Sequence, residues 1–197
     1  MRNILLEGEP GVGKTTLLCH IAEGISHLGI GGFYTQEIRE KGRRVGFRIE
    51  TFSGASGTLS HTKSKTGPRV GKYRVDVSRF ERIGVEGLKR ALSEASVILI
   101  DEIGKMELFS ERFKEVVHEC LDSEKVVLAT VMSRSHPFVD GLKSRSDVER
   151  VKVTIGNRNQ LGSKLIKEIG ALCAFKGIAG PGSNDPWQEC QRHDPAV

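Results

Sequence analysis

The chain has 197 residues, of which 38% are hydrophobic and 28% charged, and its formal net charge is +5 at pH 7. We expect residues 1–176 to form one globular domain with a sizeable core. No apolar segment approaches the roughly 20 residues of a membrane helix, and the N-terminus lacks the pattern of a secretory signal. The sequence therefore predicts a cytoplasmic protein without a membrane anchor, and we expect a monomer.

Cysteines and charges are unevenly placed along the chain. The four cysteines are far apart and include no C-x-x-C pair, which argues against structural zinc or a disulfide framework. Between Arg39 and Arg90, the chain has an excess of positive charge, with fourteen Lys and Arg residues and five Asp and Glu residues. A solvated surface, a polyphosphate site or a nucleic-acid site would each explain this excess. Without an RNP pattern or a helix-turn-helix signature, nucleic-acid binding is possible but not required.

Residues 8–15, Gly-Glu-Pro-Gly-Val-Gly-Lys-Thr, match the pattern G-x-x-x-x-G-K-[ST] without a mismatch. The apolar run Asn3–Glu7 predicts a buried strand before them, and helical apolar spacing begins at Thr16. A glycine-rich turn in this position directs backbone N–H groups at an anion, and the helix N-terminus adds partial positive charge. We expect Lys14 to reach the β- and γ-phosphates in catalysis and the Thr15 hydroxyl to bind Mg²⁺. The segment therefore predicts nucleoside triphosphate binding.

The next segment changes to a period-two pattern. Residues 32–39 and 45–52 alternate apolar and polar side chains on either side of the turn Lys41-Gly42-Arg43, which predicts an antiparallel hairpin. Residues 73–77 predict a third extended segment. The polar stretch between Ser53 and Gly71 is expected to be a loop, either a lid over the nucleotide or a plain surface connection.

From Phe80 onward the chain alternates between strand and helix patterns. Helices are predicted over 86–95, 110–120 and 160–174, buried strands over 97–100 and 126–131, and a less apolar strand, nearer an edge, over 151–155. Ser110 is the expected N-cap of the second helix. Residues 177–197 are rich in proline, glycine and polar residues, which predicts a disordered tail. Together the elements predict an α/β fold with a mostly parallel central sheet and an inserted antiparallel hairpin.

A second chemical signal follows the apolar run Val97–Ile100. An apolar strand that ends in Asp101 and Glu102 places these carboxylates at the carboxyl edge of the sheet, beside the phosphate loop. We expect Asp101 to hold Mg²⁺ together with Thr15, and Glu102 to orient or deprotonate an attacking water as the second catalytic residue. By itself, the same pattern would also suit a solvated acidic turn.

Several other polar residues are candidates for the same site. One further cation usually helps to stabilise a transferring phosphoryl group, and the candidates are Arg69, Arg134 and Arg158. Thr130 or Ser133 would hydrogen bond the γ-phosphate or the water. Lys105 and Glu107 either reach the nucleotide or face solvent.

The motifs together resemble the THEP1-type nucleoside-triphosphatase family. The matching segments are residues 8–17, 32–39, 42–47, 101–110 (Asp-Glu-Ile-Gly-Lys-Met-Glu-Leu-Phe-Ser) and 157–159. The resemblance implies an α/β P-loop NTPase fold with three α/β/α layers and a mixed sheet. It further implies slow Mg²⁺-dependent hydrolysis of nucleoside triphosphates. It also implies nucleotide contacts in two segments of the chain. These residues are Gly8, Glu9, Pro10, Gly11, Val12, Gly13, Lys14, Thr15, Ile98, Leu99, Ile100, Asp101, Glu102, Ile103, Gly104 and Lys105. We add Thr16, which follows the first segment directly.

Three functions agree with these residues. The first is hydrolysis of ATP, GTP, CTP and UTP, with broad base tolerance because no base-specific motif such as N-K-x-D occurs. The second is a kinase that passes the γ-phosphate to a nucleoside, a nucleotide or a polynucleotide end. The third is a nucleotide-dependent switch that binds nucleic acid through the basic region between Arg39 and Arg90.

Overall fold

The computed structural model describes residues 3–175, and within them nine strands form one mixed sheet. The strands are β1 (Asn3–Glu7), β2 (Ile30–Glu40), β3 (Arg43–Thr51), β4 (Ser56–His61), β5 (Arg69–Val70), β6 (Tyr73–Val75), β7 (Val97–Ile103), β8 (Val126–Val131) and β9 (Val148–Lys152). The helices are α1 (Lys14–Gly24), α2 (Val77–Phe80), α3 (Glu86–Glu94), α4 (Glu111–Asp122), α5 (Pro137–Lys143) and α6 (Arg158–Phe175). A π-helical turn, Glu81–Val85, joins α2 to α3, and Glu107–Phe109 forms a 3₁₀ turn before α4.

The sheet has two halves that differ in strand direction. In the order β5-β6-β4-β3-β2-β7-β8-β1-β9, the five strands from β2 to β9 pair in parallel. The strands β3, β4, β6 and β5 continue the sheet from β2 by antiparallel pairing, and we call them the antiparallel extension. The carboxyl ends of the parallel strands therefore meet at one edge, and the extension lies beside it.

Helices cover both faces of the sheet. The buried residues of α1 and α6 pack on one face, and those of α3, α4 and α5 pack on the other. The central strand β8 is buried along its whole length, which is why its sequence is an unbroken apolar run apart from Thr130. The predicted three-layer α/β/α fold with a mostly parallel sheet is confirmed.

The predicted hairpin is confirmed, but the predicted loop after it is wrong. Residues 53–71 contain β4, which pairs with β3 along its length, and the short strand β5. Apolar alternation is weak in β4 because backbone pairing with β3, rather than side-chain burial, holds most of it; Leu59 and Ser60 are its buried residues. No continuous loop of the predicted length is left to serve as a lid.

Three element boundaries also differ from the prediction. Strand β9 spans Val148–Lys152 rather than 151–155, because the Thr154 N–H turns to the Asn157 side chain (2.8 Å). The predicted extended segment 73–77 ends at Val75, and Asp76 caps α2 by accepting a hydrogen bond from the Arg79 N–H at 2.9 Å. Helix α5 was not predicted.

The predicted cap at Ser110 is confirmed, since its Oγ accepts a hydrogen bond from the Phe113 N–H at 3.1 Å. No helix within residues 3–175 is long and apolar enough to cross a membrane. The predicted disordered tail, 177–197, lies outside the described residues.

Candidate active site

The glycine-rich segment connects β1 to α1 and turns sharply just before the helix. Gly11 and Gly13 have φ angles of 83° and 90°, a region that favours glycine, and Gly13 directly precedes α1. A Cβ at Gly8 would lie 2.6 Å from the Val153 carbonyl oxygen. Glycine is therefore required at these three positions by backbone conformation or by close packing, and the loop ends at a helix N-terminus suited to anions.

Lys14 lies across this loop. Its Nζ donates hydrogen bonds to the carbonyl oxygens of Gly8 at 2.9 Å and Glu9 at 3.4 Å. The ammonium group is thus held over the concave side of the turn, next to the N-terminus of α1. This places a full positive charge where the predicted phosphates would lie.

Asp101 is buried at the end of the apolar part of β7 and is held by three threonine side chains. Its Oδ2 accepts hydrogen bonds from Thr15 Oγ1 at 2.8 Å, Thr35 Oγ1 at 3.1 Å and the Thr35 N–H at 3.3 Å. Its Oδ1 accepts one from Thr130 Oγ1 at 2.7 Å. The donors come from α1, β2 and β8, so the parallel half of the sheet fixes the carboxylate beside the phosphate loop.

Two of these threonines change the sequence interpretation. Thr130 is fully buried and donates to Asp101, so its predicted contact with the γ-phosphate or the water is wrong. Thr35 received no predicted role. The signal that could have found it is a hydroxyl directly after the buried Phe33 and Tyr34, on a strand parallel to the one that ends in Asp101.

Glu102 follows Asp101 at a break in the pairing of β7 with β8. The register changes between Ile100 and Ile103, and the Asp101–Glu102 peptide bond is cis. A change of register in a strand pair redirects side chains, and Glu102 lines the cavity next to the phosphate loop. Burial raises the pKa of Glu102, the charge of Asp101 adds to the rise, and Lys14 opposes it. A carboxylate with a raised pKa is suited to accept a proton.

The cavity has a volume of about 430 Å³ and two chemically different ends. Gly8, Pro10, Lys14 and Glu102 lie at the phosphate-loop end. Phe47, Leu59 and Val70 of the antiparallel extension supply apolar surface. The remaining lining residues are Thr35, Gly71, Lys105, Met106, Glu107, Met132, Ser133 and Arg134. The apolar part was not predicted from the sequence, because Phe47 lay in a predicted strand and Leu59 and Val70 lay in the predicted polar loop.

Glu107 is a buried carboxyl group in the wall of this cavity. It is 5% exposed, so the alternative in which it faces solvent is wrong. Burial raises the pKa of Glu107 to about 8, and the charge of Glu102 adds to this rise, while backbone hydrogen bonds at Glu107 and Gly104 oppose it.

The three candidate arginines lie in different places. Arg134 lines the cavity. Arg158 Nη1 donates to the Val12 carbonyl at 3.3 Å and would lie 2.8 Å from a Cβ at Gly13, so it packs against the loop itself. Arg69 is exposed on β5 and is not among the residues that line the cavity.

Four of the predicted nucleotide contacts are core residues of β7. Ile98, Leu99, Ile100 and Ile103 have no exposed surface, because they form the core on the two faces of this strand. They hold Asp101 in place, and their contact with a nucleotide stays a prediction. Glu9, Pro10, Gly11, Thr16 and Lys105 are exposed.

Comparisons with known proteins agree with this geometry. A model of the NTPase family matches residues 3–166. The chain is 47% identical to nucleoside-triphosphatase THEP1 of Thermotoga sp. (strain RQ2), over 84% of this chain and 94% of that protein. It is 39% identical to a mouse protein named cancer-related nucleoside-triphosphatase homolog, over 81% and 92% of the two chains.

A solved structure has the same fold. The crystal structure of THEP1 from Aquifex aeolicus superposes with a TM-score of 0.75 at 36% identity, covering 85% of this chain and 98% of that one. The family match, the identities and the shared architecture lead to one conclusion: the chain belongs to the THEP1-type nucleoside-triphosphatase family of P-loop NTPases.

Proposed function

We propose that the protein hydrolyses nucleoside triphosphates to the diphosphate and phosphate with Mg²⁺. The observation that supports this most strongly is the placement of Lys14 and Glu102 at one end of one cavity, beside the Thr15–Asp101 hydrogen bond. The names of the relatives also support nucleoside-triphosphatase activity.

The donor set near the loop suits Mg²⁺. Within residues 3–175 no group of three or more His, Cys, Asp or Glu side chains converges as a metal site. Thr15 and Asp101 instead offer oxygen atoms only, and Mg²⁺ is usually bound by one or two such protein ligands together with phosphates and waters. Thr15 and Asp101 would hold the ion, which would neutralise negative charge that develops during transfer.

The chain's own residues supply the remaining steps. Lys14 exchanges its carbonyl partners for phosphate oxygens and stabilises the negative charge of the transferring group. Glu102 orients the attacking water and accepts its proton as the oxygen bonds to the γ-phosphorus. The bond between the γ-phosphorus and the oxygen that joins it to the β-phosphate breaks, and the nucleoside diphosphate leaves.

Release of phosphate from Mg-ATP, Mg-GTP, Mg-CTP and Mg-UTP, without any acceptor, tests the proposal. The loop recognises phosphates rather than bases, so we expect the four rates to agree within about tenfold and EDTA to abolish them. Phosphate release that continues in EDTA would remove Mg²⁺ from the mechanism. No release from any of the four nucleotides would contradict the hydrolase function.

A second candidate is transfer of the γ-phosphate to an organic hydroxyl. It is favoured by the apolar end of the cavity, where Phe47, Leu59 and Val70 offer more apolar surface than a water requires. Nucleosides, nucleotides and polynucleotide ends are the acceptors to add, with labelled γ-phosphate followed into product. If any acceptor captures phosphate much faster than water does, a kinase function replaces the hydrolase function.

The nucleic-acid-associated switch is the third candidate. Several cations of the basic region are paired, for example Arg44 with Glu37 and Lys63 with Glu40, which lowers the charge available to a partner. Oligonucleotide binding that weakens steeply with salt, and that changes between nucleotide states, would support it.

A further inference from the structure

Glu107 has no role in the mechanism above, although it lies in the wall of the same cavity. The 3₁₀ turn that carries it is held in place on both sides. Leu108 donates its N–H to the Gly104 carbonyl at 3.0 Å, and Ser110 Oγ donates to Glu81 at 2.6 Å while capping α4. Within residues 3–175 no salt bridge to Glu107 is found, so a cation does not explain the burial of this carboxyl group.

Gly104 brings the Glu107 and Glu102 carboxyl groups together. Glu107 Oε2 and Glu102 Cδ both lie close to the same point, because a Cβ at Gly104 would be 3.1 Å from the first atom and 3.2 Å from the second. The distance between Glu107 Oε2 and Glu102 Cδ therefore cannot exceed these two distances added together. A side chain at residue 104 would stand between the two groups.

Two facing carboxylates repel each other, whereas a neutral carboxyl group donates a hydrogen bond to a carboxylate. The charged groups that share the cavity with Glu107 are Glu102 on β7, Lys105 after it, Lys14 on α1 and Arg134 after β8. The charge of the buried Asp101 also acts on Glu107. Glu81, on the neighbouring π-helical turn, is engaged by Ser110 and Arg112 instead.

We propose that Glu107 is a positioning residue whose neutral carboxyl group donates a hydrogen bond to the Glu102 carboxylate, fixing it toward the phosphate-loop end of the cavity. The proposal rests on the proposed function, in which Glu102 activates the attacking water. Because burial raises the pKa of Glu107 to about 8, the group is mostly neutral at pH 7 and ionises in the alkaline range. Ionisation replaces the hydrogen bond with repulsion.

Steady-state hydrolysis of Mg-ATP between pH 6 and 10 by Glu107→Gln, Glu107→Leu and wild type tests this role. Gln keeps the size and a hydrogen-bond donor but cannot ionise, so we expect its kcat within about threefold of wild type at pH 7. Between pH 8 and 10 it should keep activity that wild type loses. Leu lacks a donor and should lower kcat by about 10–100-fold with little change in KM, the scale of one hydrogen bond to a charged group.

Controls separate positioning from folding. Phe109→Ala changes an exposed side chain of the same turn and should leave the pH profile unchanged. If Glu107→Leu fails to fold, the alkaline profiles of Glu107→Gln and wild type decide the question. Matching alkaline profiles would overturn the proposal, as would a Leu variant with wild-type kcat. An inactive but folded Gln variant would also overturn it, because proton transfer would then be required. Wild-type protein without hydrolysis would instead overturn the proposed function.

Discussion

The two halves of the sheet contribute to the cavity in different ways. In the parallel half, polar groups at adjacent strand ends converge: Lys14 and Thr15 after β1, Asp101 and Glu102 on β7, and Thr130 on β8. The antiparallel extension contributes Phe47, Leu59 and Val70, which are apolar. The parallel half therefore carries the groups that act on phosphate, and the extension shapes the space beside them.

This difference follows from strand direction. Parallel strands end at the same edge, so chemistry-bearing residues that are distant in sequence become neighbours there. Antiparallel strands alternate their ends, and β3 and β4 present Phe47 and Leu59 from their lengths rather than from their termini. We expect substitutions in the parallel half to change the rate of the reaction, and substitutions in the extension to change what enters the cavity.

The largest effect should come from Lys14→Ala. Loss of the ammonium removes charge stabilisation at the transferring phosphoryl group, and we expect hydrolysis to fall by about 10³-fold or more, several kcal/mol in the transition state. Lys72→Ala, an exposed lysine of the extension, is the matched control and should stay near wild type. Retained turnover in Lys14→Ala would remove Lys14 from the mechanism.

Glu102→Gln should slow turnover by about 10²–10⁴-fold while nucleotide affinity stays nearly unchanged, because the amide keeps the shape but cannot accept the proton. Rapid-mixing measurements of phosphate release, together with binding titrations, separate the two effects. Glu50→Gln in the extension is the control. A variant that loses nucleotide binding would reassign Glu102 to the metal.

Glu107→Gln should also change the pH dependence of stability. The pKa of Glu107 rises from 4.5 to about 8 on folding, so the folded state binds the proton more tightly than the unfolded chain. Below pH 4.5, Glu107 is protonated in both the folded and the unfolded state, so its burial causes no pH-dependent loss of stability. As pH rises from 4.5 through 8, the unfolded chain ionises Glu107 more readily than the folded state does, and the folded protein loses stability. The variant escapes this loss, so its free energy of unfolding relative to wild type should increase by about 4 kcal/mol between pH 5 and 9. Urea unfolding at several pH values measures it, and parallel curves for the two proteins would refute it.

The smallest effect on hydrolysis should come from Phe47→Ala. Phe47 packs against Tyr73 with ring centroids 5.4 Å apart and is one of the apolar residues that the antiparallel extension contributes to the cavity lining. We expect kcat to change by less than about threefold, whereas capture of phosphate by any organic acceptor should fall more strongly. A loss of hydrolysis as large as that of Glu102→Gln would contradict the assignment of catalysis to the parallel half and of cavity shape to the antiparallel extension.

Sequence predicted the parallel half well because its signals are local. The glycine pattern at 8–15 and the apolar run before Asp101 each specify an element and its chemistry together. The antiparallel extension was harder to predict from the sequence. Ser56–His61 forms a strand because its backbone pairs with β3, and its side chains do not show the apolar alternation that would indicate a strand. Thr35 was missed and Thr130 was misassigned, and the two alternatives for Glu107 could not be separated, for a related reason. The roles of these residues depend on contacts with residues elsewhere in the chain or on burial in the cavity wall.

Calorimetric titration of the slow Glu102→Gln variant with Mg-ATP and Mg-GTP tests the central claim most directly, because it measures binding without turnover. The account predicts heat of association with one nucleotide per chain for both nucleotides, and its loss when Lys14→Ala is added. Well-folded protein that gives no heat with either nucleotide would contradict it.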